Sequence, residues 1–198
     1  ASQIFFRFTT KENKTLIVDP SPSFIKQQQK FSNHLTYTYS DDRYFEVIRY
    51  STEKDHVKEM RYLDKQFFDR VLYFARDNTP DEIQRILENI KSALIEQRST
   101  GIYILMPTVY LEKRISKGEL WNFLKDNYTI FKIVLMPQSA VQATRKKQCL
   151  LILQNKPEIK CQEILIQKTK LVDKDKIESL EFRRVPFDSF TKRERTLS

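Results

Sequence analysis

Only two glycines, Gly101 and Gly118, occur in 198 residues, and both lie in the second half of the chain. A loop that wraps a phosphate or a nucleotide cofactor normally needs several, because positive φ and close backbone approach exclude a Cβ. The sequence contains no P-loop and no G-x-G-x-x-G pattern. Its turns must instead be built from Pro, Asp, Asn and Ser, which set φ or bond their own backbone.

Those residues punctuate a regular alternation of elements. Gln3 to Thr9 and Thr15 to Val18 read as strands around a polar turn, the second closed by Asp19-Pro20. Leu35 to Tyr39 and Tyr44 to Tyr50 flank Ser40-Asp41-Asp42-Arg43 and suggest a hairpin. Met60, Leu63, Phe67, Val71 and Phe74 recur at steps of three and four, the signature of a helix face. A second helix is expected from Pro80, with Thr79 as N-cap and Glu82 closing a capping box. Its buried stripe is Ile83, Ile86, Leu87, Ile90 and Leu94, and it ends near Ser99 to Gly101. Strand Ile102 to Met106, helix Lys117 to Asn127, and strands Phe131 to Met136 and Gln148 to Gln154 follow. Glu163 to Gln167 and Ser179 to Arg183 complete the pattern as strands. Such alternation implies helices packed on a central, mostly parallel sheet, hence an α/β fold.

With 40% apolar residues the chain can bury a core as one domain over residues 1–198. No apolar run approaches the roughly 20 residues a membrane helix needs. The first residue is Ala1 and not Met, which points to a trimmed start and leaves targeting open. Cys149 and Cys161 sit in strand-like stretches without His or Cys at metal spacing, so free buried thiols are expected and a metal site is not. His34 and His56, the only histidines, accompany no triad or metal pattern and read as surface residues. Glu82, Glu88 and Glu96 lie on the polar face of their helix, where solvation explains them. Lys and Arg exceed Asp and Glu by 35 to 26, and the +9 charge makes nucleic acid the natural partner. Lys113-Arg114, Arg145-Lys146-Lys147, Arg183-Arg184 and Lys192-Arg193-Arg195 fall at expected loops or near the C-terminus. Of these, Lys113, Arg114, Arg145, Lys146, Lys147, Lys192 and Arg193 are the candidate phosphate contacts, with Tyr110 and Trp121 as aromatic neighbours.

Asp19 stands at the carboxyl end of a strand, the edge where open α/β sheets bind ligands. The segment Leu16-Ile-Val-Asp-Pro-Ser-Pro-Ser-Phe24 resembles the strand-end D-P-P-W motif of adenine exocyclic-amino (N6) methyltransferases, particularly the eukaryotic mRNA-adenosine branch. Gly101-Ile-Tyr-Ile-Leu-Met106, the helix around Leu120 to Leu124 and the strand Phe131 to Met136 are similar to that family's strand, helix, strand core. Arg145 to Pro157 looks like its next loop and strand, and Ile177 to Arg184 resembles the E-L-F-x-R stretch beside its S-adenosylmethionine pocket. The resemblance covers roughly the last hundred residues plus the Asp19 segment, and residues 25–100 have no counterpart.

The resemblance implies a Rossmann-like methyltransferase fold. It also makes the departures informative. In the family the acidic side chain and neighbouring carbonyl accept hydrogen bonds from the target amine while an aromatic stacks on the base. Here Asp19 and Pro20 remain, but Ser21 and Pro22 replace the second proline and the aromatic. After Phe182 and Arg184, where ribose-binding polar residues are expected, the chain has Val185, Pro186 and Phe187. Both motifs are degenerate, so no catalytic residue and no cofactor are expected. The resemblance then implies a non-catalytic subunit that pairs with an active adenine methyltransferase and grips DNA or RNA, in the nucleus or otherwise the cytoplasm. The alternatives are an active S-adenosylmethionine-dependent enzyme and a stand-alone nucleic-acid-binding adaptor.

Overall fold

The computed structural model describes residues 15–18, 45–48, 70–93, 101–111, 119–137, 146–155, 163–173 and 176–186. Its strands are β1 (Thr15–Val18), β2 (Phe45–Ile48), β3 (Arg70–Phe74), β4 (Gly101–Pro107), β5 (Tyr128–Leu135), β6 (Gln148–Asn155), β7 (Glu163–Asp173) and β8 (Lys176–Pro186). Helix α1 (Pro80–Ala93) joins β3 to β4, and a 3-10 turn (Thr108–Leu111) and helix α2 (Glu119–Asn127) lie between β4 and β5. The strands form one sheet in the order β2-β1-β3-β4-β6-β5-β7-β8. β2, β1, β3 and β4 are mutually parallel, β6 runs antiparallel between β4 and β5, and β7 returns to parallel beside β5. β8 closes the edge as the antiparallel partner of β7. The result is the α/β fold expected, with a mixed sheet.

Residues 70–74 differ from the sequence reading. Val71 and Phe74, placed above on a helix face, belong to β3. Parallel neighbours flank this strand on both sides, and Val71, Leu72, Tyr73 and Phe74 are all buried. A strand covered on both faces shows a continuous apolar run instead of alternation. The spacing of Val71 and Phe74 therefore matched a helix by coincidence. Phe45–Ile48 is a strand, as expected, and pairs in parallel with β1. The other half of the expected hairpin, Leu35 to Tyr39, and the expected strand Gln3 to Thr9 lie outside the described residues.

Helix α1 starts as its sequence dictates. The Thr79 backbone N–H donates to Glu82 Oε2 at 2.7 Å and the Glu82 N–H donates to Thr79 Oγ1 at 3.3 Å, a reciprocal capping box. Its stripe of Ile83, Ile86, Leu87 and Ile90 joins Leu120, Trp121 and Leu124 of α2 on one face of the sheet. Alternate strand residues meet them there: Val71 and Tyr73 from β3, Ile102 and Ile104 from β4, Leu151 and Leu153 from β6, Ile164 and Ile166 from β7. The two helices are tied by Lys91 Nζ donating to Asn127 Oδ1 at 2.6 Å, while Asn127 Nδ2 donates to the Phe123 carbonyl at 2.8 Å. The Tyr128 hydroxyl donates to the Leu87 carbonyl at 3.0 Å, anchoring β5 under α1.

Three register shifts interrupt the ladders. One falls between Ile130 and Lys132 in β5; the β7–β8 hairpin has the other two, which leave Leu180 and Val172 as the extra residues. Among the described residues, no helix is long and apolar enough to cross a membrane.

Candidate functional site

In this sheet β1 lies between β2 and β3. The chain therefore leaves β1 toward one side and later builds the rest of the sheet on the other. Connections that depart in opposite directions leave a crevice at the carboxyl ends of the strands, where open α/β sheets hold ligands. Two segments reach it. One is the carboxyl end of β1 at its buried last residue, Val18; Asp19 comes next in sequence. The other is Ala75 to Thr79, between β3 and the first turn of α1.

Sequence reasoning misses the second segment as a strand end, because the spacing of residues up to Phe74 matches a helix face. Asp77 is exposed and Asn78 half-buried, and Asn78 Oδ1 is buried without a hydrogen-bond partner. A buried acceptor left unpaired costs free energy unless a donor reaches it, so Asn78 marks the crevice as a place that favours an N–H or O–H group. The available signal was Asp-Asn-Thr-Pro directly after an unbroken buried run.

Further along the same edge the antiparallel β6 begins where β4 and β5 end. The Thr108 N–H donates to the Lys147 carbonyl at 2.9 Å and the Met136 N–H donates to the Gln148 carbonyl at 3.0 Å. Lys146 Nζ donates to the Tyr110 hydroxyl at 3.3 Å and lies 5.5 Å from that ring's centroid. Lys146 and Lys147 are exposed, whereas Gln148 beneath them is buried, donating from Nε2 to the Lys146 carbonyl at 3.3 Å. Cys149 follows in the core, where burial pushes its thiol up to about 12, against a smaller downward pull from a Thr108 hydrogen bond. Such a thiol stays protonated and is no nucleophile.

The structure thus brings Lys146, next to Lys147, onto Tyr110 at the carboxyl edge of the sheet, two strands along from β3, with Trp121 apart from them, fully buried in the core. Phe182, Arg184 and Pro186 stand on β8, the far edge of the sheet, with β4, β6, β5 and β7 between them and β3. They do not meet the β1 crevice. Asp19, Pro20, Ser21, Pro22, Lys113, Arg114, Arg145, Phe187, Lys192 and Arg193 lie outside the described residues. Among the described residues no group of three His, Cys, Asp or Glu is placed to hold a metal ion.

No family model and no curated protein sequence matches the chain. Solved structures do. The methyltransferase subunit of a type I restriction–modification system from Streptococcus thermophilus superposes with a TM-score of 0.61 at 12% identity, over 99% of this chain and 56% of that one. The M protein of the type I restriction enzyme EcoKI gives 0.52 at 10% identity, over 79% of this chain and 44% of that one. A chain from a structure on complex assembly and conformational transition of the type I restriction–modification system gives 0.52 at 15% identity, over 80% of this chain and 42% of that one. The chain has a methyltransferase fold. It spans about half the length of these solved relatives.

That fold implies S-adenosylmethionine, whose carboxylate and ribose are normally reached by a glycine loop after the first strand. The sequence here does not fit: by chain order the segment after β1 stands at this loop's position and not at that of the target-amine motif it resembles, and it cannot supply the loop. The sequence after β1 is Asp19-Pro20-Ser21-Pro22-Ser23, without a glycine. Gly101 opens β4 at the opposite edge, where a Cβ would meet the Tyr103 ring at 3.1 Å, so its lack of a side chain serves that ring. Gly118 directly precedes α2 in sequence.

Proposed function

We propose that this chain is a catalytically inactive, methyltransferase-like subunit that supports an active adenine methyltransferase and contributes to holding its nucleic-acid substrate. The observation that carries the reading is a methyltransferase fold in which the sequence that follows β1 at the switch point, Asp19 to Ser23, has no glycine. Support for a role beside other subunits comes from the relatives, which are subunits of restriction–modification systems. Support for nucleic acid comes from the charge of +9 and from Lys146 and Lys147, exposed at the carboxyl edge of the sheet. The mRNA-adenosine branch gains nothing from these relatives, so the substrate is adenine in nucleic acid without a choice of DNA or RNA.

The test is calorimetric titration of S-adenosylmethionine into the folded chain, with an active methyltransferase as control. Silence is the expected result. Micromolar binding overturns the inactive reading and favours the second one, an active adenine methyltransferase. One observation favours that alternative: the unpaired Asn78 Oδ1 in the crevice is an acceptor suited to an amino group.

A further inference from the structure

Four large apolar side chains are exposed among the described residues: Phe131 at 41%, Val172 at 49%, Leu180 at 59% and Phe182 at 58%. Phe131, Val172 and Leu180 are the residues at the three register shifts. In β5 the shift has a specific result. Ile130 and Ile133 both face the core shared with the helices, so the two residues between them, Phe131 and Lys132, are delivered to the opposite face.

On that face Lys132 aligns with Leu165 of β7, and Leu165 with Arg184 of β8, while Phe182 aligns with Gln167. Lys132 Nζ lies 5.5 Å from the centroid of the Phe182 ring. Burial lowers the Lys132 pKa, and the described residues offer this ammonium no carboxylate. Arg184 contacts Glu163 at 3.9 Å, a long exposed pair that leaves most of its guanidinium open. Phe131 and Phe182 stand two strand spacings apart, about 10 Å across the sheet, and about 10 Å apart along it, since Phe182 is level with Val134 through Gln167. The surface is therefore a pair of exposed rings with a cation seated against one of them and a second cation alongside.

We propose that this face of β5, β7 and β8 is a stacking platform for a single-stranded polynucleotide, with bases on Phe131 and Phe182 and phosphates at Lys132 and Arg184. Unpaired bases offer π-faces that stack on exposed aromatics regardless of sequence, and a phosphate supplies the counterion that Lys132 lacks. A duplex hides those faces. The platform deepens the nucleic-acid role proposed above and rests on it, but it lies on the opposite side of the sheet from α1 and α2 and uses neither Lys146 nor Lys147.

The experiment is fluorescence anisotropy of the full chain with an oligothymidylate of roughly fifteen nucleotides, its uridylate counterpart and a duplex of equal length. The single strands bind more tightly than the duplex, and the two sugars separate DNA from RNA preference. In F131L/F182L, which keeps the surface apolar but removes both rings, single-strand affinity falls about tenfold or more while duplex affinity and the melting temperature stay unchanged. K132M lowers the slope of log affinity against log salt by about one. Unchanged single-strand binding in F131L/F182L overturns the platform and leaves nucleic-acid binding by Lys146 and Lys147 standing. Equal affinity for single strand and duplex overturns it as well. Absence of binding to every oligonucleotide overturns both the platform and the nucleic-acid half of the proposed function, and turns the same face into a protein-docking surface.

Discussion

Cys149 and Tyr128 carry the pH sensitivity of the described core. Burial raises both, Cys149 to about 12 and Tyr128 above its ordinary range, with the Glu88 charge adding to the latter. Each group is an acid held neutral in the folded state, so the unfolded chain loses its proton first as pH rises. Their contribution is complete below the ordinary thiol pKa and declines above it, for Cys149 between about pH 9 and 12. Urea midpoints measured at about pH 7, 9 and 10.5 are therefore expected to fall at the alkaline end. A Cys161→Ser variant should leave Cys149 as the sole thiol and resist a disulfide-forming reagent until denaturant is added. Prompt labelling in the native state contradicts this account. At the same scale the end of β1 at Val18 could be read from the sequence alone, because Leu16, Ile17 and Val18 precede Asp19-Pro20. Asn78 could not, because Phe67, Val71 and Phe74 mimic a helix and hide the strand that ends before it.

Among the elements, α1 was the most legible. Its start is written in local chemistry, with Thr79, Pro80 and Glu82 acting within one turn. Thr79→Ala is expected to cost about 1 kcal/mol in a denaturant titration, the usual loss for an N-cap side chain. Strands β4 to β6 were also legible, because each is a run of β-branched and aliphatic residues between turn formers. The order of the sheet was not, since parallel pairing joins segments far apart in sequence and leaves no local mark. The register shifts were hidden for the same reason: they describe two strands together and cannot be read from one. Beside their apolar contact, α1 and α2 are linked by a polar pair, Lys91 to Asn127, whose acceptor also caps α2 through Phe123. Asn127→Ala is expected to destabilise by about 1 to 2 kcal/mol, seen as a lower urea midpoint with an unchanged slope. Trp121→Ala, which empties a fully buried site on α2, should cost more, about 3 to 5 kcal/mol.

At the scale of the molecule, one sheet supports two surfaces that do not overlap: the crevice at the carboxyl ends of β1 and β3, and the exposed face of β5, β7 and β8. The placement of β6 between β4 and β5 has a consequence for how the chain is made. Both flanking strands precede β6 in sequence, so during synthesis they emerge from the ribosome before the strand that must sit between them. Until Gln148 to Asn155 arrives, β4 and β5 cannot pair with each other in the final order, and each presents an open, apolar edge. A nascent chain paused short of that segment is consequently at its most adhesive moment, and completing β6 converts two hazards into the centre of the fold in one step.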